Sequence, residues 1–346
     1  MKLAVLAILV AVAALGAALL LLSDGGIDKL HQVTDPREAM GVSVTITASH
    51  PNAQAAQMAI DLAFARIAKI ESVASPANEA SELSELNRTG YLPSASDELV
   101  EMLRLASVVN RVSDGALDVT IGAWLDLWQF DPTVDIQFWD RSPAVQSASI
   151  TAAQKHVGMG RILLGGGRTT SISLVPGTIV DLGTIAVGYA VDAAIEALRE
   201  AGIESAMVEA EGAARIMGSK PDGSPWVAVF GTQSASGESI ARFHLTNEAI
   251  VMRTVQDERL SPAMGGTILD PRTGYPAVAT SGAVVIAPSC AEACALAAAV
   301  YVLGPADGLA LIERLEYTEA LMIGRADPQD VCRSSGLTAF ESQSAD

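Results

Sequence analysis

Segments with a period-two alternation of apolar and polar residues and segments with a helical period follow one another along this chain in no regular order. That irregularity is the strongest constraint on the fold. Residues 42–48 alternate with β-branched side chains and read as a half-buried strand. Residues 52–71 carry Ala, Met, Ile, Leu and Phe at spacings of three and four, an amphipathic helix, and residues 99–109 form a second. Residues 162–164 run through Gly165-Gly166-Gly167-Arg168 into residues 169–174. We read a hairpin there, because no helix with a basic or hydroxyl residue follows at phosphate-loop spacing. A helix over residues 187–201 is capped by Gly202. Strands start at Met207, Trp226 and Ala283, and an apolar helix spans residues 291–303. Such an order gives an α+β fold with mixed β-sheets and flanking helices.

At 346 residues, 50% of them apolar, the chain buries a large core, and length allows one composite domain or two ordinary ones. A formal charge of −18 without a cluster of Lys and Arg excludes a nucleic-acid surface. Behind Met1-Lys2 stands an apolar run from Leu3 to Leu22. At about 1.5 Å per residue it spans a ~30 Å hydrocarbon layer. Residues 1–22 are therefore a membrane anchor or a signal peptide, with Ala18-Leu19-Leu20-Leu21-Leu22-Ser23 a poor cleavage site. Either reading exports the rest of the chain. Residues 23–36 are polar and read as a stalk, and residues 331–346 as a polar tail. Residues 130–149 break up into Pro, Asp, Gln and aromatic residues, a loop suited to covering a site. Cys290, Cys294 and Cys332 read as small thiols, since Cys290 and Cys294 stand one helical turn apart and no histidine is near enough for a zinc site. His31, His50, His156 and His244 form no catalytic constellation with Ser, Asp or Cys by spacing.

Five segments belong together. They are Met40-Gly41, Ser81-Glu82-Leu83-Ser84-Glu85-Leu86-Asn87, Gly115-Ala116-Leu117-Asp118-Val119-Thr120, the run from Asp181-Leu182-Gly183-Thr184 to Asp192, and Leu269-Asp270-Pro271-Arg272-Thr273-Gly274. In order and spacing they resemble the FAD:protein FMN transferase family, the ApbE-like flavin transferases. The resemblance implies one ApbE-like composite domain over residues 37–330. It also implies FAD as ligand, Mg²⁺ on its pyrophosphate, and transfer of FMN to a threonine of a target flavoprotein with release of AMP. A divalent ion between phosphates is the usual means of lowering their charge before an alcohol attacks.

By that resemblance Met40, Ala116, Leu117, Asp118, Asp181, Val187 and Leu269 contact the flavin nucleotide, and the backbone of Thr184 contacts the metal. Asp118 reads equally as a cap or turn residue, and Asp270-Pro271-Arg272-Thr273-Gly274 equally as a plain turn. Small residues ahead of Val187 leave the amides of a helix start open to an anion. Where the family carries its metal-binding aspartate and threonine this chain has Cys294 and Ala298, which are not ligands: a thiol is soft and an alanine offers no donor. Thr267 stands at a family histidine, and Glu211-Gly212 at two glycines. On a strand Glu209 and Glu211 would share a face. Arg253 is the residue expected to bring positive charge to the pyrophosphate instead of the metal.

Two functions follow as expectations. One is an FMN transferase with weakened or lost Mg²⁺-dependent activity. The other is a non-catalytic FAD-binding or accessory module. The partner is an acceptor flavoprotein or an electron-transfer membrane protein, met on the periplasmic side of the inner membrane by a chain that is anchored there or released by cleavage.

Overall fold

The structure, a computed structural model, describes residues 30–128, 137–167, 169–232, 239–254, 268–326 and 330–341. The apolar run expected to be an anchor or signal lies outside the described residues. No described helix is long and apolar enough to cross a membrane.

In chain order the elements are β1 (His31–Ala39), β2 (Val42–His50), α1 (Ala53–Ala74), α2 (Glu82–Thr89), β3 (Tyr91–Leu92), α3 (Asp97–Val112), α4 (Gly122–Trp128), α5 (Pro143–Gln154), β4 (Ile162–Gly165), β5 (Ser171–Leu174) and α6 (Gly183–Glu200). There follow β6 (Ser205–Ala210), β7 (Ala213–Met217), β8 (Trp226–Thr232), β9 (Ser239–Leu245), β10 (Ala249–Thr254), β11 (Thr280–Ala287), α7 (Cys290–Leu303), α8 (Pro305–Ile312), β12 (Glu319–Gly324) and β13 (Val331–Arg333).

Eight strands make one sheet in the order β1-β2-β6-β7-β10-β11-β12-β13. The α+β class is as expected, but the mixed pairing is not: each neighbouring pair in this sheet is antiparallel. The chain leaves β2 for a long helical excursion and re-enters beside it at the same end of the sheet as β6, Ser205 pairing with Ser49, so no parallel crossover arises. On one face α1, α6 and α7 pack onto Ile46, Val208, Val251 and Val285. On the other, the β8–β9 ribbon lays Phe230 and Phe243 against Ile216, Ile250, Val284 and Leu321. Covered on both sides, β11 is apolar almost without interruption, whereas a strand with one wet face would alternate. Helix α7 is apolar all round and buried, as a helix inside a protein must be. Its start is capped by Ser289, whose hydroxyl accepts from the amide of Glu292.

Several expectations need correction. The stalk at residues 23–36 is polar, but its described end is the edge strand β1, where one exposed face suffices to make the residues look solvated. The polar tail at residues 331–346 begins with β13, which closes the other edge of the sheet, and holds the fully buried Leu337. In the loop expected over residues 130–149, residues 143–149 are part of α5, started by Pro143. Residues 129–136 lie outside the described residues. Cys290 and Cys294 are buried free thiols, and Cys332 is a half-buried one.

Candidate functional site

The site is assembled by hydrogen bonds between segments far apart in sequence. In α2, Asn87 clamps the backbone of Val180: its amide donates to the Val180 carbonyl at 2.8 Å and its oxygen accepts from the Val180 amide at 2.8 Å. The next residue, Asp181, donates its amide to the Val119 carbonyl at 2.7 Å, and Gly122 donates to Ile179 at 3.2 Å. Residues 116–122 and 179–183 therefore run side by side, with a parallel bridge between Ile121 and Ile179. Asp181 then accepts the Gly183 amide at 2.8 Å, at the first residue of α6.

Helix α6 starts at Gly183 rather than near Val187. Thr184 thus sits in its first turn and Val187 in its second. The cleft beside this helix start has a volume of about 700 Å³, within the ~300–1,000 Å³ usual for small-molecule and cofactor sites. Its walls include Met40, Ala116, Leu117, Asp118, Asp181, Val187 and Leu269, so each expected nucleotide contact lies on one surface. Ala298 also lines it, whereas Cys294 is fully buried and does not.

Two hairpin turns form the opposite rim. Met40-Gly41 joins β1 to β2 and Glu211-Gly212 joins β6 to β7, with φ of 58° and 76° in the first and 51° and 75° in the second. Both are two-residue turns of the kind that needs positive φ at both positions. A Cβ on Gly212 would stand 2.8 Å from the Met252 carbonyl, so only glycine fits there. Glu211 consequently leaves the strand and does not share a face with Glu209. It lines the cleft instead.

Asp118 is 8% exposed and held on both oxygens: Oδ1 accepts from the Thr120 amide at 2.8 Å and from its hydroxyl, Oδ2 from the Met159 amide at 3.1 Å. It is a lock on the cleft wall and the turn role foreseen for it is real. Burial pushes the Asp181 carboxyl above its ordinary range. Burial, and then the charge of Asp181, does the same to Asp126 on α4. Asp192, further along α6, accepts the amides of Cys290 and Ala291 at 2.8 and 2.9 Å and so caps α7. Burial raises it to about 6. Arg253 lines the cleft from β10 and makes no ion pair among the described residues.

These residues do not suit a protein-held Mg²⁺. Among the described residues no group of three or more His, Cys, Asp or Glu side chains converges on a point. Cys294 points into the core, Ala298 has no donor, and one oxygen of Asp181 is already committed to Gly183. Hard oxygen ligands in number are what that ion needs.

The 270–274 segment is a tight turn whose conformation is fixed from within. Arg272 gives its amide, Nε and Nη2 to the Asp270 carboxylate at 2.9 Å each, and Gly274 gives its amide to the Asp270 carbonyl at 2.8 Å. Trp128 donates to the Gly274 carbonyl at 2.9 Å, docking the turn on the Trp124–Trp128 cluster beside Leu269. Thr267 lies outside the described residues. Asn87 and Asp192 fall inside the matched segments but had no role of their own in the sequence reading, and Asp126 and Trp128 lie outside those segments. Asp126 was visible only as a single acid among apolar residues.

An antiparallel sheet with helices on one face, and a cleft joining two hairpin turns to a helix start, defines a ligand-binding α+β protein. The family model described as "ApbE family" matches residues 40–322, and the chain belongs to that family. It is 29% identical over 249 residues to a protein of Haemophilus influenzae named "FAD:protein FMN transferase", covering 69% of this chain and 70% of that one. A protein of the same name from Vibrio cholerae is 28% identical over 256 residues, 72% of this chain and 74% of that one. Among solved structures, "Flavin Transferase ApbE from Vibrio cholerae" superposes with a TM-score of 0.75 at 27% identity, covering 90% of this chain and 99% of that one. The ApbE protein of Thermotoga maritima gives 0.77 at 26% identity, covering 90% and 100%.

Proposed function

We propose that this chain is an FMN transferase that holds FAD in the cleft and passes its FMN half to a threonine hydroxyl of a target flavoprotein, with its Mg²⁺-dependent activity weakened or lost. The threonine oxygen would bond to the FMN phosphorus as the bond to the AMP phosphate breaks, with the hydroxyl proton lost and AMP released. The observation that supports this best is the convergence of Met40, Asp118, Asp181, Val187 and Leu269, from separate segments, on one cleft beside a helix start. Backbone amides at such a start favour an anion. Family membership and the relatives' names point the same way. The long apolar run at the N-terminus supports a location outside the cytoplasm, anchored or released, with an acceptor flavoprotein or electron-transfer membrane protein as partner.

A second reading, a non-catalytic FAD-holding or accessory module, is favoured by one observation: Cys294 and Ala298 leave the family's metal position without side-chain ligands. Loss of a catalytic ion costs several kcal/mol of transition-state stabilisation. Titration with FAD, with and without Mg²⁺, followed by assay of AMP release on adding a threonine-bearing acceptor peptide, separates the two. Release of AMP supports transfer. Binding without release leaves the holding module, and no binding refutes both.

A further inference from the structure

We infer that Arg253 is the resident cation of this cleft and binds the pyrophosphate of a flavin dinucleotide directly, making binding independent of a divalent metal. The inference rests on the FAD reading above and concerns what neutralises the ligand's charge. On β10, Val251 packs into the helix-side core and Ile250 into the ribbon-side core. The period of two therefore puts Arg253 on the helix side, toward α7. Three facts place its charge. It lines the cleft together with Ala298. The Met252 amide beside it donates to the Gly212 carbonyl at 2.8 Å, which sets the base of Arg253 next to the Glu211-Gly212 turn. The Cys294 thiol is held below its ordinary value by a hydrogen bond with Cys290 and, after burial acts against it, by the charge of Arg253.

The remaining charge in the cleft makes a cation necessary. Asp118, Asp181 and Glu211 line it, and Arg253 is the basic side chain on its described walls. A pyrophosphate entering this surface meets carboxylates unless something positive faces it. The short side chain of Ala298 offers neither a donor nor bulk to keep a guanidinium away. Arginine also suits the task in shape, since its planar fork pairs with two phosphate oxygens at once. Without an ion partner among the described residues, it is free to do so.

The test uses the full chain in detergent, titrated with FAD and separately with riboflavin, which lacks phosphate, in EDTA and in MgCl₂. The unsubstituted chain should bind FAD equally in both buffers. Arg253→Ala should weaken FAD by about 10- to 100-fold, the span of a charged hydrogen-bonded contact, and leave riboflavin unchanged. Arg253→Lys should restore part of the loss. Thermal unfolding of each variant checks that it is folded. Equal FAD affinity in Arg253→Ala and the unsubstituted chain, or FAD binding abolished by EDTA, overturns the inference while leaving the FAD site standing. An unsubstituted chain that binds FAD in neither buffer removes the FAD reading and this inference together.

Discussion

Gly188 lies in the middle of α6, where helix propensity alone says that alanine should be better by about 1 kcal/mol. The structure reverses that expectation. A Cβ at this position would stand 2.5 Å from the Cys290 carbonyl oxygen, 2.8 Å from its carbon and 2.9 Å from the Ala291 Cα. All three are backbone at the start of α7, so no side chain can swing aside. The helices must part by roughly 0.5–1 Å to reach ordinary contact, a distortion of the overpacking kind that costs about 1–3 kcal/mol. One turn along, Asp192 accepts the amides of the same two residues, Cys290 and Ala291. Parting the helices stretches both charge-assisted bonds and removes about a further 1 kcal/mol from each. After subtracting the propensity gain, Gly188→Ala should lose about 2–4 kcal/mol. With roughly 2 °C per kcal/mol for a chain this large, Tm should fall by about 4–8 °C. Calorimetry or circular dichroism on the full chain measures it. A Tm equal to or above that of the unsubstituted chain would refute the close-packed crossing.

Other perturbations read different parts of the site. Asp192, raised from about 3.8 to about 6 by burial, binds more protons folded than unfolded between those values. Its ionised form costs on the order of 3 kcal/mol above pH 6, a cost relieved as pH falls toward 4. Denaturant midpoints compared with Asp192→Asn across that window should therefore diverge in favour of the unsubstituted chain at low pH, and a constant difference would count against it. Glu211→Gly removes a carboxylate from the cleft and a left-handed non-glycine residue, whose relief of ~1 kcal/mol is offset by glycine's extra chain entropy. Stability should stay within about 1 kcal/mol while FAD affinity rises, and weaker binding would contradict the placement. Asn87→Ala leaves both polar groups of the Val180 backbone unpaired. It should cost about 2–4 kcal/mol in chemical denaturation, with Asn87→Asp intermediate because it can still accept the Val180 amide.

Much of the architecture was legible because its periods are local properties. The strands β2, β6, β8 and β11 and the helices α1, α3 and α7 stand where alternation or helical spacing put them, with ends shifted by a few residues. The edge strands escaped notice for a physical reason: β1 buries part of one face only, so nine residues of HQVTDPREA look like solvated chain until β2 is beside them. The start of α6 was also missed. Asp181 engages the Gly183 amide through a side-chain contact that no hydrophobic pattern reports.

The order of the five segments, and with it the family, was settled by the one-dimensional chain, since residue types at given spacings are all that a family resemblance requires. So were the residue types, Cys294 and Ala298, in the segment that aligns with the family's metal-binding one. What only the tertiary structure decided is how charges meet. It took the folded sheet to turn Glu211 out of its strand into the cleft, to leave Arg253 on the helix side facing it, and to bury Cys294 away from it. Electrostatic interactions depend on distance and burial through space, and neither quantity exists until the segments have packed.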